Sequence, residues 1–220
     1  SGRSSKSFAT GINENGIADD EAVANYAQLK NDIKAGDYLI IAWGHNDEKT
    51  DQYRYTDPNG DINTPGSFKN SLYENYIKVA QEAGAIPILC TPIIRANDSG
   101  TLSDNDLHKP AAGDYGQCIR DLAAELNITL IDNLASTQAL YNEIGVGTGP
   151  TETAEPTGYL ALHAALQDRS VDTTHLNAYG ASMVAYMMAR DIKASDNSLA
   201  AYVADSIEAP VFSQDECYNT

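Results

Sequence analysis

Asp37-Tyr38-Leu39-Ile40-Ile41-Ala42-Trp43, followed at once by Gly44-His45-Asn46-Asp47, is the stretch that decides the fold. An apolar strand that ends in a compact polar cluster is how an α/β protein presents chemistry at the edge of its sheet. Upstream, Val23, Tyr26, Leu29, Lys30 and Ile33 recur at helical spacing over about residues 20–33, with Asp19 or Asp20 as the cap. Gly36-Asp37 turns that helix into the strand.

Downstream, an Asp-rich polar loop fills residues 47–66, with Asp57-Pro58-Asn59-Gly60 as a turn. A helix is predicted over about 67–83, with Leu72, Tyr76, Ile77, Val79 and Ala80 on its apolar face and Gly84 at its end. Residues 86–90 read as a short buried strand running into Thr91-Pro92, followed by a helix over about 113–126 and a strand over 128–131. A helix through Leu134, Leu140 and Tyr141 comes next, then a long loop over 145–171 with a short helix near 160–166. Asn177 caps a last helix through Val184, Met187, Met188 and Ile192. Strands that alternate with helices pair in parallel through right-handed crossovers, so the predicted fold is a three-layer α/β/α sandwich. One domain is expected over residues 1–195, with 196–220 as a C-terminal tail or linker and no internal repeat.

At 220 residues and 42% hydrophobic content, the chain suits a single domain with a sizeable core. Its formal net charge of −17 repels nucleic acid and anionic membranes as partners and is compatible with neutral or cationic ones. No apolar stretch reaches the roughly 18–20 residues needed to span a bilayer. Cys90, Cys118 and Cys217 are too few and too scattered for a disulfide scaffold or a metal knuckle, and Cys90 and Cys118 read as buried free thiols. The chain opens on Ser1-Gly2-Arg3-Ser4-Ser5 without an initiator Met, a start expected to be a truncation.

Three elements carry chemistry. Asp172-Thr173-Thr174-His175 places a carboxylate and an imidazole three residues apart ahead of the last helix, on an expected loop at the carboxyl edge of the sheet. A carboxylate that accepts from one ring nitrogen fixes the tautomer and leaves the other nitrogen as a base; alternatively, Asp172 and Thr174 only order the loop. Asn46 is a neutral amide donor directly after a strand, suited to an oxyanion or to turn formation. Gly2 has no Cβ, so its N–H can approach a ligand closely. The loop 57–63 alternates oxygen side chains as calcium loops do, but Phe68 stands where such a loop needs Glu, and it reads as a surface turn.

Together, Ser1-Gly2-Arg3-Ser4-Ser5-Lys6-Ser7-Phe8, Gly44-His45-Asn46-Asp47, Thr91-Pro92-Ile93-Ile94-Arg95 and Asp172-Thr173-Thr174-His175-Leu176-Asn177 resemble the SGNH (GDSL-type) hydrolase superfamily. Within it they resemble the rhamnogalacturonan acetylesterase-like carbohydrate esterases, from Ser1 to about Ile192. The resemblance implies a flavodoxin-like sandwich with about five parallel strands. It also implies oxyanion donors at Gly2 and Asn46 and a Ser-His-Asp triad completed by Asp172 and His175, with no metal and no cofactor. An acetylated polysaccharide or oligosaccharide would be the substrate, and an extracellular or cell-surface location follows.

The family's nucleophile lies in a Gly-Asp-Ser block after its first strand. Here Gly36-Asp37, Gly60-Asp61 and Gly113-Asp114 are followed by Tyr, Ile and Tyr, so the nucleophile is absent from these residues and the first strand is expected to be missing with it. Ser4 and Ser5 are expected to shape the loop rather than replace it. The aromatics Trp43, Tyr53, Tyr55 and Tyr115 could stack on sugar rings or belong to the core. A non-catalytic carbohydrate-binding relic of the same fold and an acyltransferase with the same triad remain as alternatives.

Overall fold

The structure, a computed structural model, describes residues 2–97, 99–166 and 170–218. Its contacts divide into two compact units, Ser1–Pro92 with His108–Ile131, and Ile93–Leu107 with Asp132–Thr220.

In the first unit, helices α1 (Ser5–Thr10) and α2 (Asp20–Asp32) precede strand β1 (Tyr38–Ala42). Helix α2 begins where the sequence predicts, because the Asp19 side chain accepts the N–H of Ala22. Strand β2 (Ile86–Cys90) pairs in parallel with β1, and β3 (Thr129–Ile131) pairs in parallel with β2, giving the order β1-β2-β3. The register sets Ile41 beside Leu89 and Leu89 beside Leu130, so these three share a face. That face packs on Phe68, Leu72, Ile77, Ile119 and Leu122. Each fully buried aliphatic or aromatic side chain there contributes roughly 1.5–3 kcal/mol. On the opposite face, Ile40 lies in the sheet's edge strand and stays 44% exposed.

The single helix predicted over 67–83 is built as α3 (Phe68–Leu72), a π-helical turn (Tyr73–Ile77) and α4 (Lys78–Glu82), capped by Ser67. Helix α5 (Tyr115–Leu126) starts at the Asp114 cap. Tyr115, read as a possible sugar platform, is a core residue instead. It is fully buried, and its hydroxyl donates to the carbonyls of Thr56 (2.6 Å) and Asp47 (3.1 Å). Trp43 likewise packs its ring against Phe8 and Tyr76, both at 5.5 Å between centroids. In the loop 57–63, Asp57 accepts from Asn59 and Asp61 accepts from Asn63 and Thr64, the bonds of successive turns. All three thiols are buried, and burial pushes those of Cys90 and Cys118 up to about 12.

The second unit holds helix α6 (Asn133–Ile144), a 3-10 turn (Gly158–Leu162), strands β4 (His163–Ala165) and β5 (Val171–Leu176), and helix α7 (Ala178–Ala194). Its core gathers Ile94, Leu134, Tyr159, Leu160, Leu162, Met183 and Met187. Asn177 caps α7 by accepting the N–H of Gly180. A Cβ at Gly180 would lie 2.2 Å from the Leu162 carbonyl, so glycine is what lets α7 sit this close to the 3-10 turn. After α7 the chain folds back on it: the Tyr179 hydroxyl donates to the Val211 carbonyl, Lys193 pairs with Asp205, and Cys217 is in the core.

Two sequence expectations fail in this unit. The short helix placed near 160–166 is a 3-10 turn that passes directly into β4. The loop expected to carry Asp172 and His175 is strand β5, antiparallel to β4 and separate from the parallel sheet. The β-branched Val171, Thr173 and Thr174 favour extended backbone and are the local reason this segment is a strand. Residues 167–169 of the same stretch lie outside the described residues. Among the described residues, no helix is long and apolar enough to cross a membrane.

Candidate active site

Gly2 and Asn46 lie in the first unit, Asp172 and His175 in the second, and each pair is built locally.

Ser4 caps α1 through a reciprocal pair of bonds with Ser7, which sets the chain direction just after Gly2. Arg3 is clamped by Asp19 with two bonds of 2.6 and 2.8 Å and by Glu21 at 2.9 Å. Gly2 has a φ of +78°, and nothing stands within 4 Å of the place a Cβ would take. The polar cluster after β1 is joined to this segment by Asp47. This fully buried carboxylate accepts from the Ser5 hydroxyl (2.5 Å), the Ser5 N–H (3.1 Å) and the Thr56 hydroxyl (3.2 Å). Burial pushes the Asp47 carboxyl up to about 6, against the hydrogen bonds that favour its charge. Ser4 and Ser5 are thus structural, with no exposed hydroxyl.

Arg54 closes the arrangement. Its Nη1 donates to the Gly2 carbonyl and to Asn46 Oδ1, both at 3.4 Å, while its Nε donates to Asp51 at 2.8 Å. The structure therefore brings Gly2 and Asn46 together around one guanidinium. With Oδ1 turned to Arg54, the amide nitrogen of Asn46 is the end left for another acceptor. Beside it, His45 packs edge-on against the buried His108, whose Nδ1 donates to Glu48 at 3.2 Å.

The second pair sits on a bulge. Strand β4 pairs His163 with Leu176 and Ala165 with Val171. One residue on β4, Ala164, therefore opposes four on β5, Asp172 through His175, three more than an even ladder allows. Bulges of this kind re-aim side chains. Asp172 Oδ1 accepts the N–H groups of Thr174 (2.8 Å) and His175 (3.0 Å), and Oδ2 accepts from His175 Nδ1 at 2.7 Å. Because a carboxylate only accepts, Nδ1 carries the proton and Nε2 is the basic nitrogen. Burial works to raise the Asp172 carboxyl, but the bonds from His175 and the two backbone N–H groups outweigh it and hold it below the usual range. The imidazole itself is 68% exposed, open to a reacting group.

Residues that act together with these were not all visible in sequence. Asp47 is the fourth letter of Gly-His-Asn-Asp, which is its signal in the sequence. Arg54 and His163 carry no local signal.

No protein-family model matches the chain. Over 163 residues, 73% of its length, it is 31% identical to the rhamnogalacturonan acetylesterase RhgT of Bacillus subtilis. Over 162 residues it is 31% identical to the probable rhamnogalacturonan acetylesterase YesY of the same organism. The chain is thus similar, over most of its own length, to proteins named as rhamnogalacturonan acetylesterases, which supports an SGNH (GDSL-type) hydrolase-like relation. The crystal structure of the Bacillus subtilis protein YXIM supports the SGNH-type fold, with a TM-score of 0.55, 25% identity, and 88% of this chain covered against 43% of that one. The chain spans 62% and 64% of the lengths of the two curated relatives. The antiparallel β4–β5 pair carries the Asp-Thr-Thr-His segment.

Proposed function

We propose that this chain is the greater part of a carbohydrate esterase that removes acetyl groups from a rhamnogalacturonan-like polysaccharide outside the cell. The observation that carries the reading is the 2.7 Å bond from His175 Nδ1 to Asp172, which leaves Nε2 of an exposed imidazole as a base. A serine hydroxyl supplied by a Gly-Asp-Ser block attacks the acetyl carbon, and His175 Nε2 takes its proton. Asp172 holds the ring in the correct tautomer and stabilises the imidazolium. The tetrahedral oxyanion accepts from the Gly2 N–H and the Asn46 amide. The sugar oxygen leaves with the proton from His175, and a water deprotonated by the same nitrogen then releases acetate from the acyl-serine. A sugar acceptor in place of that water would make the protein an acyltransferase.

These 220 residues contain no Gly-Asp-Ser, so on this reading they do not turn over ester by themselves. The test compares them with a chain extended at its N-terminus by an apolar strand and a Gly-Asp-Ser block. Acetate release from a chromogenic acetyl ester and from acetylated rhamnogalacturonan oligosaccharides is expected only for the extended chain. Binding of the oligosaccharides by the extended chain, without acetate release, would instead establish the non-catalytic relic.

A further inference from the structure

We infer that His163 is a positioning residue that fixes the bulge presenting Asp172 and His175. The inference rests on the reading of that pair as catalytic.

A bulge of three extra residues breaks the β4–β5 ladder, so the carbonyls inside it lose the cross-strand N–H groups an even ladder would provide. Two of these four carbonyls take donors from elsewhere in the unit. The Ala96 N–H donates to the Thr173 carbonyl at 2.9 Å, and the His163 side chain, through Nδ1, donates to the Asp172 carbonyl at 3.1 Å. A carbonyl only accepts, so His163 is the Nδ1–H tautomer. That is a side chain doing a backbone's work: β4 sets one residue, Ala164, against four, and the imidazole of its first residue reaches across to Asp172.

The setting is built for a neutral ring. His163 is 2% exposed, its ring lies 5.3 Å from that of Tyr159, and its Nε2 is buried with no hydrogen-bond partner among the described residues. Burial pushes its pKa down to about 4, so the Nδ1–H donor persists throughout the neutral range. An apolar side chain would pack at this site without the cost of burying a ring nitrogen, and the bond to Asp172 is what histidine adds. The following residues tie the same segment from the other end. Asn177 donates from Nδ2 to the Ala161 carbonyl at 2.7 Å, and its N–H donates to that of Leu162 at 2.9 Å. The Asp172 backbone is therefore held by His163, and the Asp172 carboxylate in turn holds His175.

The experiment uses the full chain labelled with 15N-histidine and reads the tautomer of His175 by long-range proton–nitrogen correlation, with thermal unfolding as the check on folding. Wild type is expected to show His175 protonated at Nδ1. His163→Leu removes the donor, and His175 is expected to lose that tautomeric preference while the chain remains folded. His163→Asn places an amide N–H near the position of Nδ1 and is expected to restore it. In the extended, active chain, His163→Leu should lower kcat roughly 10–100-fold with KM unchanged, as is typical when the partner that orients a functional side chain is removed. A folded His163→Leu chain that keeps the wild-type His175 tautomer overturns the proposal. If His163→Leu does not fold, a folded His163→Asn chain with His175 unlocked overturns it equally. A wild-type His175 without the Nδ1 proton would instead sink the catalytic reading of the pair.

Discussion

Ser5 Oγ donates to Asp47 Oδ1 at 2.5 Å, joining two fully buried side chains that stand 42 residues apart in sequence. Around them, Tyr76 donates to the Ser5 carbonyl and Tyr115 to the Asp47 carbonyl, so the carboxylate is the knot between the Gly-Arg-Ser-Ser segment and the cluster after β1. Among the described residues, none of its partners is a cation.

That isolation has a pH signature. The folded carboxyl, raised from 3.8 to about 6, keeps a proton between those values that the unfolded chain has already released. Its contribution to stability is therefore largest below the unfolded value and falls as pH rises through about 6, by ~3 kcal/mol for a shift of about two units. Asp47→Asn removes this titration. In urea unfolding from pH 4 to 7, the variant should gain stability relative to wild type as pH rises, and parallel pH curves would contradict the assignment.

Asn46 and Arg54 should behave as one unit in the extended chain. Asn46→Ala is expected to lower kcat by roughly 10²–10³ with little change in KM, as for loss of an oxyanion donor. Arg54→Met should cost less, because the guanidinium only orients the amide. The double variant should be no slower than Asn46→Ala alone, and strictly additive losses would separate the two residues.

His175→Ala in the same chain should abolish acetate release without a large change in melting temperature, since the ring is mostly exposed. Asp172→Asn should lower kcat by several orders of magnitude by favouring the wrong tautomer. Unchanged kcat in either variant removes the triad.

Asn177→Ala gives a stability outcome instead. It deletes the cap of α7 and the bond to the Ala161 carbonyl, and should cost about 1–2 kcal/mol, read as a lower melting temperature.

Much of this architecture is legible locally. Asp19, Ser67, Asp114 and Asn177 announce helix starts because a cap needs only its own side chain and an N–H three residues on. Strands β1 and β2 declare themselves as short apolar runs between turn residues. What sequence hides is non-local. The bulge at 172–175 depends on which residues of β4 it faces, and Val-Asp-Thr-Thr-His-Leu alone does not reveal the partner. Arg54 meets Gly2 across 52 residues. Tyr115 is polar enough for a surface, yet it opens α5 directly into the core, with two carbonyls waiting for its hydroxyl. In the candidate site, the residue types were readable and their supports were not.

Among the described strands β1 stands at the edge of its sheet, with Ile40 exposed, and an edge strand is where further pairing can begin. An apolar edge strand is open to any extended segment that can lie alongside, including the same strand of a neighbouring copy. Charge is the usual deterrent at such margins. Replacing Ile40 by Lys would put a repelling ammonium there, and concentrated solutions of the chain should then stay clear for longer, as followed by light scattering.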